Sequence, residues 1–346
     1  MEKYLVTGAD GFIGSHVVEK LVNIGKDVRA MVFYNSFGSN GWLDNIDKKV
    51  FDSIEVISGD IRDSELTKDI VSGCTHIIHL AAMTGMDIDD PSFFDANTKG
   101  VANLIKATQS LSCLQRIIFA STLLVCKNGY VPSSSIEYDP PNLYGESKVI
   151  GEKMVRESKM SCSWVIVRPT SIWGPWFEHS YLTFFQMIDR GFYFQPGSKP
   201  IVKPLGFVGN TVHMMQSLLI KAENSVHGNT FYLGDYPENS IQEWADLIGK
   251  NLGRGEIPTI PIPLMKLMAI TGDVLKNKFG VNPPITSFRL NNMLTGAHYP
   301  IEKTKEVVGS LPFGMQDGVQ QTLDWMFEKK LIRRKPISLT NSNNLI

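Results

Sequence analysis

Short runs of β-branched and aliphatic residues alternate with longer segments of helical periodicity through the first half of the chain. The runs that predict strands are residues 3–7, 28–33, 54–58, 76–80, 116–121 and 164–168. Between them apolar positions recur three and four residues apart, as at Val17, Val18, Leu21 and Val22, which predicts amphipathic helices. Alternating strands and helices predict an α/β fold with a Rossmann-like, doubly wound parallel sheet.

The pattern changes after Pro169, where prolines and glycines become frequent and strand-like runs become scarce. The short apolar runs 207–208 and 230–233 predict strands that return to the sheet. We therefore expect one domain from residues 1–171 plus about 206–235, and a smaller mixed α/β lobe from about 172–205 and 236–335. The polar, Ser/Asn-rich segment 336–346 predicts a disordered tail.

Composition narrows the classes of function. The chain has 346 residues, 43% of them hydrophobic and 20% charged, which is typical of a globular protein with one large core or two fused domains. The formal net charge of −1 provides no overall field toward nucleic acid, so no nucleic-acid partner is expected. Four cysteines lie far apart without a CxxC pair, which argues against a structural metal or disulfides and favours a reducing, cytoplasmic location.

No run of apolar residues is long enough to predict a membrane span, and the chain does not begin with a signal-like segment. The most apolar late segment, residues 260–270, predicts a loop leading into a buried or partner-facing helix. A shallow membrane contact is the alternative for that segment.

A glycine-rich segment, Thr7-Gly8-Ala9-Asp10-Gly11-Phe12-Ile13-Gly14, follows the first predicted strand and opens the first helix. Gly8 permits a tight turn, Gly11 lets the backbone approach a pyrophosphate, and Gly14 lets the helix pack close to the strand. The helix N-terminus then offers unpaired N–H groups to phosphates. A plain tight turn is the competing interpretation.

The spacing GxxGxxG and several later fragments resemble the extended short-chain dehydrogenases of the NAD-dependent epimerase/dehydratase family, in particular its nucleotide-sugar-modifying branch. The matching fragments, in family order, are TGADGFIGSH, Gly59-Asp60-Ile61-Arg62, His79-Leu80-Ala81-Ala82 and Asn97-Thr98-Lys99-Gly100. The resemblance implies an NAD(P)-binding domain followed by a substrate-binding lobe. It implies cofactor contacts from Gly8, Gly11, Phe12, Ile13, Gly14, Tyr34, Asn35, Ser36, Asp60, Ile61, Leu80, Ala81, Ala82, Asn97, Ser121, Tyr144, Lys148 and Pro169.

The catalytic residues implied by the resemblance are Tyr144, Lys148 and Thr122. Tyr144 and Lys148 are four residues apart, so they project from the same face of a helix. A free phenol has a pKa near ~10, and a neighbouring ammonium favours its ionised form, which acts as a base. Thr122 follows the strand 116–121, where its hydroxyl would hold the reacting oxygen near Tyr144.

The two residues after Thr122 help to distinguish among the reactions that this family catalyses. Sugar 4,6-dehydratases of this family place an Asp-Glu pair there, whereas this chain has Leu123 and Leu124, which cannot move protons. Reversible hydride transfer remains: a 4-ketosugar reductase or dehydrogenase, or a 4-epimerase, acting on a nucleotide-activated sugar. The alternatives are a hydroxysteroid-dehydrogenase-like enzyme and a catalytically silent NAD(P)-binding regulatory protein. Substrate contacts are expected from Thr84, Thr122, Ser171, Lys203 and Arg289.

Cofactor choice depends on the end of the second predicted strand. An acid there binds the ribose of NAD and repels the 2′-phosphate of NADP. That place holds Val32, followed by Phe33, while Tyr34, Asn35 and Ser36 offer hydrogen bonds to a phosphate. The sequence therefore slightly favours NADP over NAD. The resemblance further implies a homodimer paired through the helices around 92–111 and 142–159.

Overall fold

The computed structural model describes residues 2–109, 111–178, 180–280, 283 and 285–337, and these divide into two compact units. Unit 1 comprises Met1–Ile172, Val208–Gly234 and Tyr299–Pro312, and unit 2 comprises the other described residues. Most of the segment 336–346, for which a disordered tail is predicted, lies outside the described residues. Within the described part, the Ile337 amide donates a hydrogen bond to the Asn251 carbonyl at 2.7 Å.

Strands and helices alternate through most of the chain. The strands are β1 Lys3–Thr7, β2 Asp27–Phe33, β3 Glu55–Gly59, β4 His76–His79, β5 Arg116–Ala120, β6 Ser163–Pro169, β7 Ser171–Trp173, β8 Gln195–Pro196, β9 Val202–Lys203, β10 Leu205–Phe207, β11 Asn229–Leu233, β12 Asn239–Ser240 and β13 Thr259–Ile260. The helices are α1 Phe12–Asn23, α2 Lys48–Phe51, α3 Ser64–Val71, α4 Asp95–Thr108, α5 Leu143–Glu157, α6 Ser180–Arg190, α7 Val208–Ile220, α8 Glu223–Val226, α9 Ile241–Asn251, α10 Ile262–Phe279, α11 Ser287–Leu294, α12 Glu302–Val308 and α13 Met315–Glu328.

Unit 1 is built on a seven-stranded sheet with the order β11-β6-β5-β4-β1-β2-β3. Every pair of neighbouring strands is parallel. The chain runs outward from β1 in one direction through β2 and β3, and in the other direction through β4, β5 and β6. A doubly wound sheet opens a crevice where this order reverses, at the carboxyl ends of β1 and β4. This confirms the predicted Rossmann-like α/β fold.

The core of unit 1 lies between the sheet and the helices that cover it. Leu5, Ile77, Ile117 and Ile166 occupy neighbouring central strands and are fully buried. They share one cluster with Leu104 of α4. Strands that are buried on both faces need near-continuous apolar runs, which is why all seven strands of this sheet were predictable to within one residue at each end.

Two expectations at the domain boundaries were wrong. The run 207–208 does not form a strand of the large sheet: β10 ends at Phe207, and Val208 begins α7 because apolar residues continue from there at helical spacing. Tyr299–Pro312 was expected in the smaller lobe but belongs to unit 1. The Thr304 hydroxyl donates to the Tyr232 carbonyl of β11 at 2.7 Å, and this bond holds α12 against the large sheet.

Unit 2 is centred on aromatic side chains rather than on a sheet. Trp173 and Trp244 are both fully buried, with ring centroids 5.0 Å apart, and Phe184 stacks on Trp244 at 4.9 Å. Such pairs add to the free energy of apolar burial. The aromatic residues after β6 therefore serve mainly as core.

One helix of unit 2 was predicted to be either buried or partner-facing. The helix predicted after residue 270 already begins at Ile262, as α10, and most of its surface is exposed. Only Met265, Ala269 and Gly272 are buried, and the first two pack with Leu290 of α11. Within the described part of the chain, no helix combines the length and apolar character needed to cross a membrane.

Candidate active site

The glycine-rich turn after β1 is held against the loop that follows β4. Gly8 has a φ of +67°, and a Cβ there would lie 2.7 Å from the Ala81 nitrogen. A Cβ at Gly14 would overlap the Gly8 carbonyl oxygen. Both positions therefore require glycine, one for backbone conformation and one for the close approach of α1. Gly11 caps α1 without a side-chain hydrogen bond, so Phe12, Ile13 and Gly14 begin the helix with amides available to an anion.

A cavity of about 460 Å³ lies at this point in unit 1, beside the carboxyl ends of β1, β2, β3 and β4. Its volume falls in the range of sites for cofactors and small ligands. Seven predicted cofactor residues line it: Gly8, Gly11, Asp60, Ile61, Leu80, Ala81 and Ala82. The lining also includes residues that the sequence did not assign to the site: Asp10, Met31, Val32, Phe33, Gly59, Arg62, Met83, Ser92, Phe93 and Ala96.

Two carboxylates face this cavity. Asp10 is half-buried and accepts a hydrogen bond from the Phe33 amide at 3.3 Å, which ties the glycine turn to the end of β2. Burial raises the pKa of Asp10, and the Phe33 amide opposes that rise. Asp60 is bound by Arg62 through both oxygens, at 3.0 and 2.6 Å. This pairing lowers the pKa of Asp60 and neutralises the one arginine of the lining.

The loop after β2 holds the residues predicted to contact a 2′-phosphate. Asn35 uses its side chain within the loop: its oxygen accepts from the Phe37 and Ser39 amides at 3.1 Å each, and its nitrogen donates to the Ser39 carbonyl at 2.7 Å. Tyr34 and Ser36 are exposed and, with Asn35, are not part of the cavity lining. Their assignment to the cofactor stays a prediction.

The predicted catalytic pair lies on the first two turns of α5. Asn142 caps this helix by accepting a hydrogen bond from the Gly145 amide at 3.0 Å. Burial raises the pKa of the Tyr144 phenol, and an interaction with the Thr122 hydroxyl opposes the rise. The Thr122 oxygen also accepts the Leu124 amide at 3.2 Å, at the start of a short 3₁₀ turn. Tyr144 and Thr122 are thus brought together from α5 and the end of β5.

Lys148 is buried one turn further along α5. Its ammonium donates to the Ala120 carbonyl at 2.9 Å, which places it at the carboxyl end of β5. Burial lowers the pKa of Lys148 to about 8, and the negative charge of Glu152 opposes the shift. The same ammonium contributes to lowering the pKa of His79, which burial takes to about 3. His79 is therefore neutral and bonds the Thr7 hydroxyl at 2.8 Å.

A buried ion pair supports α5 behind Lys148. Arg168 of β6 donates to both carboxylate oxygens of Glu152 at 2.8 Å each, and Arg168 is fully buried. Arg168 also donates to the Tyr232 hydroxyl at 2.7 Å and the Ser135 carbonyl at 2.8 Å. Burial raises the pKa of Glu152, but the bonds and charge of Arg168 outweigh it and the net shift is downward. Glu152 is thus a positioning residue that keeps a negative charge one turn from Lys148.

Asn97 joins the cavity to α5. Its side-chain oxygen accepts the Met83 amide at 2.8 Å, and its nitrogen donates to the Met83 carbonyl and the Ser147 hydroxyl at 2.9 Å each. Met83 lines the cavity, and Ser147 precedes Lys148. Asn97 therefore fixes the loop after β4 relative to α5. Its contact with a cofactor, as predicted, remains an expectation.

The other six residues that were predicted to contact the cofactor or the substrate lie in or beside strands and helices of both units. Ser121 is buried at the end of β5, and Pro169 ends β6. Thr84 is exposed after Met83, and Ser171 is half-buried at the start of β7. Lys203 lies in unit 2, where its ammonium donates to the Asn292 and Thr295 carbonyls.

Arg289, also in unit 2, donates to the Pro283 carbonyl at 2.8 Å. For Lys203 and Arg289, the described hydrogen bonds account for local structure, and their contact with a substrate stays a prediction.

The site residues that sequence reasoning missed carried weak signals. Asp10 stands at a position of the GxxGxxG motif where the motif specifies no residue type, so no role was predicted for its side chain. Glu152 follows Lys148 by four residues, the spacing that had already linked Tyr144 to Lys148. Extending that face by one turn would have found it. Arg168, by contrast, lies on a distant strand, and only the fold brings it to Glu152.

Comparison with known proteins places this geometry in a family. The model of the NAD dependent epimerase/dehydratase family matches residues 4–233, which include the glycine turn, Tyr144 and Lys148. The chain belongs to this family. It is thus related to enzymes that include both epimerases and dehydrogenases.

Relatives of nearly full length differ in what they act on. The chain is 25% identical over 337 residues to the N-acetyl-α-D-glucosaminyl-diphospho-ditrans,octacis-undecaprenol 4-epimerase of Escherichia coli O157:H7, covering 94% of this chain and 96% of that protein. It is also 25% identical over 338 residues to a 3-beta-hydroxysteroid dehydrogenase of Mycolicibacterium neoaurum, covering 90% and 87%. These similarities leave the substrate class open.

A solved structure shows the same fold. UDP-glucuronic acid 4-epimerase from Bacillus cereus, in complex with UDP-glucuronic acid and NAD, superposes with a TM-score of 0.69. The identity is 19%, over 94% of this chain and 99% of that chain.

The residues of unit 1 fit the dinucleotide that the family name implies. The backbone cradle at Gly8 and Gly14 admits no Cβ, and it leads into a helix N-terminus without a side-chain cap. The adjoining cavity extends to Asp60 and Ile61 on one side and to Leu80, Ala81 and Ala82 on the other. These are the features by which a doubly wound sheet holds a pyrophosphate and the groups on either side of it.

The burial of Lys148 predicts a pH-dependent cost in stability. Below pH 8 the amine is charged in the folded and unfolded states, so the folded state carries the full cost of burying the charge. Between the folded pKa of about 8 and the ordinary value of 10.5, the folded chain releases its proton first, and stability rises. At about 1.4 kcal/mol per pKa unit, wild type should gain up to ~3 kcal/mol over this window relative to Lys148→Met.

Urea denaturation from pH 7 to 10 measures this difference. Lys159→Met, at an exposed position after α5, is the matched control and should follow wild type across the whole range. A free-energy difference between Lys148→Met and wild type that does not change with pH would contradict the assignment of a buried, titrating amine.

Proposed function

We propose that this chain catalyses reversible, NAD-dependent hydride transfer at a secondary alcohol of a sugar carried on a diphosphate, as a 4-epimerase or a 4-ketosugar reductase or dehydrogenase. The observation that carries the proposal is that Tyr144, Thr122 and Lys148 lie at the carboxyl end of β5, which pairs with β4, and the carboxyl end of β4 borders the cavity. Sites in doubly wound sheets lie at this edge. The intact set also argues against a catalytically silent regulatory protein.

Each residue has a role that follows from its surroundings. The glycine turn and the first amides of α1 hold the pyrophosphate of the dinucleotide, which supplies hydride acceptance or donation when it is bound. Thr122 donates a hydrogen bond to the reacting oxygen of the substrate and keeps it near the Tyr144 phenol. Tyr144 exchanges a proton with that oxygen. Lys148 adds positive charge beside the phenol and favours its ionised form during oxidation.

The raised pKa of Tyr144 bears on the direction of reaction. A phenol that keeps its proton at neutral pH is ready to donate it to a ketone, which is the step needed in ketosugar reduction. Loss of that proton requires the added positive charge of Lys148. These properties suit a reductase, and they equally suit the second half of an epimerisation, in which a ketone is reduced again.

The neighbouring residues support exclusion of a 4,6-dehydratase. Leu123 is buried and Leu124 is half-buried within the 3₁₀ turn that follows Thr122. Water elimination requires an acid and a base in addition to the tyrosine, and neither leucine can serve. A diphosphate-carried sugar is supported by the relative from Escherichia coli, whose substrate is a sugar on a polyprenyl diphosphate, and by the UDP-sugar in the structural relative.

Removing the phenol hydroxyl tests the mechanism. Tyr144→Phe should lower kcat by about a thousandfold, because proton transfer by a positioned side chain contributes about 10²–10⁴-fold. NAD binding should be retained, since the ring still packs with Phe94 at 6.0 Å. The measurement is turnover of UDP-sugars followed by NADH absorbance and product analysis. Tyr130→Phe, which removes a phenol hydroxyl outside the segment Tyr144–Lys148, serves as the control and should turn over like wild type. Equal turnover in Tyr144→Phe and wild type would contradict the mechanism.

For the cofactor we propose NAD rather than the NADP slightly favoured by the sequence. The sequence offers Val32 rather than an acid at the end of β2, but Asp10 of the glycine turn brings a carboxylate there, which accepts a hydrogen bond from the Phe33 amide. A carboxylate there repels a 2′-phosphate. The nearby Arg62 is already paired with Asp60, and the Asn35 side chain is used within its own loop.

Charge removal at Asp10 tests this cofactor choice. Wild type should bind NADH more tightly than NADPH, and Asp10→Asn should narrow the ratio of the two dissociation constants by about tenfold, because one repulsive charge is worth about 1.4 kcal/mol at close range. Fluorescence titration of both nucleotides measures the ratio. Asp47→Asn, at an exposed helix cap, is the control. An unchanged ratio in Asp10→Asn, or tighter NADPH binding by wild type, would contradict NAD selection by this carboxylate.

A hydroxysteroid-dehydrogenase-like activity on an apolar secondary alcohol is the second candidate, favoured by the near-full-length similarity to a 3-beta-hydroxysteroid dehydrogenase. Thermal-shift measurements in the presence of NAD separate the two. A ligand at a hundred times its dissociation constant stabilises the folded state by about 2.7 kcal/mol. We expect UDP or UDP-N-acetylglucosamine to raise Tm and a 3β-hydroxysteroid to leave it unchanged. The reverse result would favour the steroid.

The oligomeric state is proposed from the same family. We propose a homodimer that pairs through α4 and α5, where Ile150 is 45% exposed in the single chain. Sedimentation velocity of the full chain measures this state, and a monomer at all concentrations would contradict it.

A further inference from the structure

Exposed apolar side chains are concentrated on one helix of unit 2. Seven large apolar residues of α10 are between 38% and 70% exposed: Leu264, Leu267, Met268, Ile270, Val274, Leu275 and Phe279. Phe288, at the start of α11, is 75% exposed. Contiguous exposed apolar surface of this kind marks an interaction site, because single exposed apolar residues are normal but clusters are not.

The buried residues and the exposed apolar residues of α10 lie on different sides of the helix. Met265, Ala269 and Gly272 form the narrow buried stripe against α11, and a Cβ at Gly272 would overlap the Ile285 carbonyl oxygen. At 3.6 residues per turn, the exposed apolar residues occupy an arc of about half the helix circumference on the other side. The 18 residues give this apolar face a length of about 27 Å. α10 is therefore anchored on one side and presents an apolar surface on the other.

The charges on α10 have one sign where they are exposed. Lys266, Lys276 and Lys278 are exposed. Asp273 is the single acid of the helix and is half-buried, where its carboxylate accepts the Ser287 amide at 3.1 Å. By helical position, Lys266 lies at one edge of the apolar arc and Lys278 lies within it near the last turn, whereas Lys276 projects from the side of the buried stripe. An apolar face that carries lysines in this way complements an anionic lipid surface, where apolar side chains enter the headgroup region and lysines reach the phosphates. A second copy of this helix packed in parallel would instead bring Lys266 and Lys278 against the same lysines of the other copy.

We propose that the apolar face of α10 docks the protein on an anionic lipid bilayer, lying in the interface rather than crossing it. The link to substrate rests on the proposed function: a sugar diphosphate on a polyprenol stays in the bilayer, and a docked enzyme meets it there. The docking itself depends only on α10 and its lysines. It is therefore independent of the catalytic residues.

Vesicle flotation of the full chain tests the proposal. The vesicles are phosphatidylcholine with about one third phosphatidylglycerol, compared with phosphatidylcholine alone. Wild type should float with the anionic vesicles and more weakly with the neutral ones. Leu267→Asp combined with Val274→Asp should lower the bound fraction by about tenfold on both. Ile136→Asp, at a position 65% exposed in unit 1, is the matched control and should float like wild type.

The lysines are tested separately. Lys266→Glu combined with Lys278→Glu should lower binding to the anionic vesicles by more than about tenfold, since each cation near such a surface contributes about 1 kcal/mol, and should leave binding to neutral vesicles unchanged. Lys159→Glu is the control. Thermal unfolding of all variants confirms that they fold, as expected for exposed positions.

Three results would overturn the proposal. One is a wild type that floats with neither vesicle, and another is an α10 double-aspartate variant that floats as well as wild type. The third is sedimentation showing that Leu267→Asp with Val274→Asp dissociates a wild-type dimer, which would assign the face to a second copy. Tyr144→Phe should float like wild type. Loss of turnover on sugar diphosphates with intact flotation would therefore reject the proposed function and leave docking supported.

Discussion

The ion pair between Glu152 and Arg168 is the interaction on which the site depends. A fully buried guanidinium is tolerated only when its donors are satisfied, and in this protein two go to one carboxylate and others to the Tyr232 hydroxyl and the Ser135 carbonyl. Because Arg168 lies on β6 and Glu152 on α5, the pair fixes α5 against the sheet. Substituting either partner of such a pair by an uncharged residue leaves the other charge buried without compensation.

The same pair makes a buried Lys148 possible. An isolated ammonium in this position would lose its proton, because burial disfavours the charged form. The carboxylate one helical turn away opposes that tendency, and the pKa remains near 8 rather than falling further. The charge of Lys148 is therefore maintained by a chain of charges that begins at Arg168. The enzyme holds its site at a cost in stability, as functional sites commonly do.

The two units use apolar residues differently. In unit 1 the apolar strands are enclosed between layers of helices, and the polar groups of the site gather at one edge of the sheet. In unit 2 an aromatic core around Trp244 is closed, while α10 leaves half of its circumference apolar and exposed. Such a surface is unfavourable in water, so its retention is best explained by a partner that covers it, and the lysines beside it favour lipid.

Much of the fold and part of the site were determined by local sequence. The parallel sheet was predictable because strands buried on both faces need apolar runs, and the glycine turn because Gly8 and Gly14 stand where any Cβ would clash. The pairing of Tyr144 with Lys148 followed from helical spacing alone. These features depend on residues close together in the chain, where geometry is set by the period of a strand or a helix.

Other features were decided only by tertiary structure. The acid beside the end of β2 comes from Asp10, 23 residues before Phe33, and the partner of Glu152 comes from a strand 16 residues later. The segment Tyr299–Pro312 joins unit 1 through Thr304 although it follows the smaller unit in sequence. α10 was predicted to be either buried or partner-facing because its composition is apolar, and composition does not say which of the two applies. Packing between residues distant in sequence decides which charges form pairs and which apolar faces remain exposed. The periodicity of a single strand or helix contains no information about such contacts.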